Sequence, residues 1–112
     1  MRNNLTPQQF ESIIDSIKAL HIAKNKDYGS NGYLSDILSS SKIGIEPWKN
    51  CLMRIQQKVG RLESFAVKGA FEVKDEKFTD TCLDGAVYFI IMSMLYTHGK
   101  QSSKINRRSR KN

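Results

Sequence analysis

The chain has 112 residues, enough for one modest domain, with 18 basic against 11 acidic residues and a net charge of +7. The charge is uneven. Lys100, Lys104, Arg107, Arg108, Arg110 and Lys111 stand near the C-terminal end without an acid, which leaves 12 basic and 11 acidic residues in positions 1–99. The basic balance therefore belongs to 100–112, whose Ser, Asn and Gln content predicts a disordered, solubilising tail capable of weak nucleic-acid contact. Cys51 and Cys82 lack metal-ligand spacing and read as reduced core residues of a cytoplasmic protein. The N-terminus has no secretory pattern, and the longest apolar run, Ala86 to Met92, is far short of the ~20 residues of a membrane span.

Thr6-Pro7-Gln8-Gln9 reads as a helix start, with Thr6 as cap, Pro7 at the first helical position and Gln9 completing a capping box. Phe10, Ile13, Ile14, Ile17 and Leu20 follow at helical spacing and predict a core-facing stripe. Continued, that stripe carries His21, Lys24 and Tyr28, and Gly29-Ser30-Asn31-Gly32 stops it. Residues 29–46 form a long connection, with a short helix expected around Tyr33 to Leu38.

A second helix is predicted from Pro47 to Lys68, with Gly69 as its left-handed cap and Trp48, Cys51, Leu52, Ile55, Val59, Leu62 and Phe65 facing the core. Gly60 inside it suggests close approach of another helix. After a short loop, Asp75 and Glu76 open a third helix, running to about His98 and stopped by Gly99. Its apolar stretch from Ala86 to Met92 demands burial all round. Three helices of this size cannot easily surround one of their own, so the fold class expected is all-α: a domain over 1–99, helices two and three an antiparallel hairpin, assembled as a homo-oligomer.

On these helices residues three and four apart share a face. Arg54, Lys58 and Arg61 form a basic stripe; Glu76, Asp80 and Asp84 form an acidic one. Folding about position 72 brings Arg61 near Leu83 and Lys58 near Ala86, with Asp80 and Asp84 within side-chain reach of the cations. The stripes either pair structurally or hold a ligand. In the second case the cations donate to phosphate, and Glu76, Asp80 and Asp84 offer oxygen ligands for Mg²⁺. Lys24, Asp27 and Tyr28 add an ammonium, a carboxylate and a phenol. Tyr33, Trp48 and Tyr88 are rings that either stack on a base or pack in the core. There is no Gly-rich phosphate loop, Ser-His-Asp arrangement or Cys/His zinc frame.

Together these residues resemble the nucleotide modification associated domain 1 family of small helical phage and bacterial proteins. Four elements carry the resemblance: Lys24-Asn25-Lys26-Asp27-Tyr28-Gly29, Pro47-Trp48, Arg54-x3-Lys58-x2-Arg61-Leu62 and Asp75-Glu76-x3-Asp80-Thr81-x2-Asp84-x3-Tyr88. The resemblance implies a nucleotide-related function without specifying a reaction. The implied ligand residues are Lys24, Asp27, Tyr28, Arg54, Lys58, Arg61 and Tyr88. A looser similarity is to the all-α nucleotide pyrophosphohydrolases, which pair ExxE on one helix with ExxD on the next. Here one helix is acidic, and Arg54, Lys58 and Arg61 stand where the other acidic pair would be. The expectation is a small nucleotide-like ligand, held by an enzyme or accessory factor of nucleotide metabolism or modification. The alternatives are a non-catalytic sponge for a host immune nucleotide and a weak nucleic-acid-binding accessory protein.

Overall fold

In the computed structural model the protein is described over residues 3–27, 32–70 and 77–110, the side chains of 25–27 and 100–110 excepted. The described residues are all-helical, with no strand among them. They comprise α1 (Pro7–Asp27), α2 (Ser35–Leu38), a 3-10 segment (Ser39–Ile43), α3 (Pro47–Lys68) and α4 (Phe78–Arg110). The chain divides into two compact units, Met1–Ser35 and Asp36–Asn112.

In the first unit the start of α1 forms as its residues dictate. The Thr6 amide donates to Gln9 Oε1 at 2.6 Å, and the Gln9 amide donates to Thr6 Oγ1 at 3.3 Å. These reciprocal bonds satisfy donors that a helix N-terminus leaves open. The apolar stripe that follows is not covered: Phe10 is 70% exposed, and Ile13, Ile14 and Leu20 are exposed too. Periodicity identifies an apolar face but not what covers it.

The second unit is built on α3 against α4. Pro47 occupies the first turn of α3, where its missing N–H costs nothing. At the other end Gly69 takes φ 77° and donates its amide to the Phe65 carbonyl at 2.7 Å, ending the helix at the residue expected. Contacts between the helices run in opposite numerical order: Trp48 meets Tyr96, Arg54 meets Tyr88, Lys58 meets Asp84 and Phe65 meets Phe78. Ile37, Cys51, Ile55, Thr81 and Ile91 are the buried side chains of this unit among the described residues.

Several sequence expectations are corrected here. Leu52 and Val59, assigned to the core face of α3, are exposed, because they lie on its flank rather than on the line through Cys51 and Ile55. Cys82 is exposed, whereas Cys51 is buried. A Cβ added at Gly60 would meet nothing within 4 Å, so no described helix approaches it. Asp75 and Glu76 lie outside the described residues, and α4 is described from Phe78.

Nor does Gly99 stop α4, whose helical backbone continues to Arg110. One interior glycine costs about 1 kcal/mol, too little to end a helix that lacks a proline or a left-handed cap. The segment Phe78–Gly99 is also long and apolar enough, by length and composition alone, to cross a membrane. The run Ala86–Met92 understated this, because Gly85, Ser93, Thr97 and Gly99 interrupt the apolar character without adding charge. A helix buried between other helices has the same composition.

Candidate functional site

Arg54 is the centre of the polar side of α3. It lies one helical turn beyond Asn50, and its Nε donates to Asn50 Oδ1 at 3.3 Å. Asn50 in turn donates from Nδ2 to the Ile37 carbonyl at 3.2 Å, tying the site to α2. The Arg54 Nη1 donates to the Tyr88 hydroxyl at 3.3 Å, and its guanidinium carbon lies 5.7 Å from the centre of the Tyr88 ring. The arginine is therefore held by an amide, a phenol and an aromatic face, all part-buried.

One turn further along, the Lys58 Nζ lies 3.4 Å from Asp84 Oδ2. The lysine side chain is mostly covered, at 20% exposure, while the aspartate is 48% exposed. A Cβ added at Gly85 would stand 4.0 Å from the Lys58 Cβ, an ordinary contact, so a glycine is not required for this packing. The half-exposed carboxylate makes this pair a screened surface-type interaction rather than a buried ion pair. Arg61 is exposed, on the same face as Arg54 and Lys58.

Of the residues singled out from sequence, Arg54, Lys58, Tyr88 and Asp84 come together, while Asp80 is exposed in the first turn of α4. Lys24 is exposed near the end of α1 in the other unit. The readings placed on Tyr28, Glu76 and the Asp27 side chain lie outside the described residues. Among the described residues no group of three or more His, Cys, Asp or Glu is gathered as a metal would need.

The rings have their own partners. In the first unit the Tyr33 hydroxyl is hydrogen-bonded to His21 Nε2, with the two rings edge to face at 5.4 Å. Trp48 donates from Nε1 to the Glu46 carboxylate and meets Tyr96 edge to face at 5.7 Å, with the Lys49 ammonium 5.6 Å from its centre. Trp48 thus stitches α3 to α4. The sequence reading did not single out Asn50. Its i, i+4 spacing to Arg54 was the available signal.

Cys51 sits one turn before Ile55, completely covered. Burial pushes its thiol pKa above the ordinary value, opposed in smaller measure by the Arg54 charge. Desolvation winning over a nearby cation marks Cys51 as a packing residue, not an activated nucleophile.

No protein-family model, curated protein or solved structure matches this chain.

Proposed function

We propose that this chain binds a nucleotide or a related phosphorylated small molecule on the polar side of α3, as a phage-type protein of nucleotide metabolism or modification. The observation that carries the reading is the arrangement of Arg54. Its bonds to Asn50 and Tyr88 use two of five guanidinium N–H donors, and the remaining donors match the geometry of phosphate oxygens. Lys58 adds a second cation one turn away, and Tyr88 supplies a ring for a ligand that carries one. Arg61 extends the same stripe. Lys24, Asp27 and Tyr28 join the ligand set on the resemblance alone, as do Glu76, Asp80 and Asp84 for Mg²⁺.

The order of contacts between α3 and α4 supports an antiparallel hairpin, and the exposed apolar residues of α4 support assembly into a homo-oligomer. The test incubates the protein with a panel of nucleotides, removes unbound material, denatures the protein and identifies what is released by mass spectrometry. Intact nucleotide supports a sequestering protein, and converted nucleotide supports an enzyme. A folded protein that retains no nucleotide at millimolar concentration overturns the proposal.

A further inference from the structure

The two flanks of α3 differ in kind. At 100° per residue, Trp48, Leu52 and Val59 fall within about 40° of one another, and Asn50, Arg54, Gln57 and Arg61 fall on the opposite flank. On α4, Phe78, Phe89 and Tyr96 fall within about 20° of one another. The Trp48–Tyr96 contact sets the apolar flank of α3 edge to edge with this stripe of α4. The result is an apolar face shared by the two helices, bordered on α3 by Glu63 about 20° beyond Leu52 and reaching at its far end Phe78, which packs on Phe65. Leu52, Val59, Phe78, Tyr96 and, at 54%, Phe89 are all exposed on it.

Resting on the oligomeric reading above, we infer that this face docks on the same face of a second copy, with the two α4 helices antiparallel and the Arg54 side left open. Size and charge select this occupant. A two-helix face about 33 Å long and roughly 20 Å wide covers on the order of 700 Å², close to the ~800 Å² per partner of a stable interface. A two-fold interface must also be self-complementary. Residues 77–84 carry Asp80 and Asp84 against Lys77, 85–99 carry no Asp, Glu, Lys or Arg, and 100–111 carry six bases and no acid. The helical backbone of α4 runs into that basic end. Antiparallel docking lays each basic end beside the partner's acid-bearing end, over an uncharged centre. Parallel docking would set two clusters of six cations side by side.

The experiment measures mass by light scattering on the full chain, with circular dichroism to verify folding. The wild type should have twice the chain mass. Phe89→Glu and Val59→Glu should each raise the dimer dissociation constant at least a hundredfold while keeping the helical signal. Met53→Glu makes the same charge change on the outward side of α3 and should leave the dimer intact. Nitroxides on Ser103→Cys in a Cys82→Ser background should lie beyond about 30 Å if the helices are antiparallel, against ~10–15 Å if parallel, at a rise of ~1.5 Å per residue. A monomeric wild type overturns the oligomeric reading itself. A wild type that stays monomeric in water but floats with phosphatidylglycerol vesicles assigns the face to lipid. A dimer that survives both glutamates, dissociates with Met53→Glu or shows the short nitroxide distance leaves oligomerisation standing but overturns this interface.

Discussion

Arg54, Lys58 and Tyr88 carry the most specific expectations at the scale of single residues. Lys58→Ala removes a pair whose carboxylate is half-exposed, so its stability cost should be within about 1 kcal/mol. A cost of several kcal/mol belongs to buried pairs and is not expected here. Arg54→Ala should weaken nucleotide binding by more than about 1.4 kcal/mol, tenfold, in a protein that still folds. Tyr88→Phe keeps the ring under Arg54 and loses one hydrogen bond, so it should cost about 0.5–1.5 kcal/mol of stability. Calorimetric titration beside thermal melts separates these outcomes. Unchanged affinity in Arg54→Ala would refute the ligand role of the stripe. Cys51 gives a pH test. Its raised folded pKa means the unfolded chain loses that proton first, so this thiol's contribution to stability is complete below the ordinary thiol value of about 9.0 and is lost as pH rises through the folded value. Cys51 should accordingly react with iodoacetamide only on unfolding, which peptide mapping of native and denatured samples would reveal.

The helices illustrate how far local chemistry reaches. Thr6→Ala breaks the reciprocal cap of α1 and should cost about 1 kcal/mol, read as faster amide exchange over residues 8–11. Glycines of the main helices should respond with opposite signs according to their place. Gly60→Ala adds a methyl to open space inside α3 and should stabilise by roughly 0.5–1 kcal/mol. Gly69→Ala forces a side chain into φ 77° and should destabilise by about 1–2 kcal/mol. Gly99→Ala should firm the extension of α4 toward Arg110. Thermal melts of these variants give the signs directly. If Gly60→Ala destabilises instead, something packs against α3 there, as its place in the sequence first suggested.

For the whole molecule, the basic end and the Arg54 stripe are separate features. Deleting residues 100–112 removes six positive charges but none of the nucleotide-facing residues. Small-ligand affinity should stay within a few-fold, and any DNA retention at low salt should fall. Loss of nucleotide binding in a folded truncation would contradict the placement of the site. The same deletion should weaken the dimer more at low salt than at high salt, since the attraction it removes is screened over about 10 Å at 0.1 M.

What the amino-acid order determined by itself is local. Capping at Thr6 and Gln9, the span Pro47–Lys68 and the left-handed turn at Gly69 depend on neighbours within about four residues, so they are legible without a fold. That α3 packs on α4 was legible as well, because both helices carry an apolar face that burial favours. Only the tertiary structure decided which apolar residues are covered. Cys51 and Leu52 are adjacent and both apolar, yet one is buried and the other exposed, since a 100° step carries the chain from the packed line to the flank. The same step placed Arg54 against Tyr88 and set Val59 and Phe89 facing outward. Burial depends on what stands opposite, and residues from distant parts of the chain supply that only once the helices have packed.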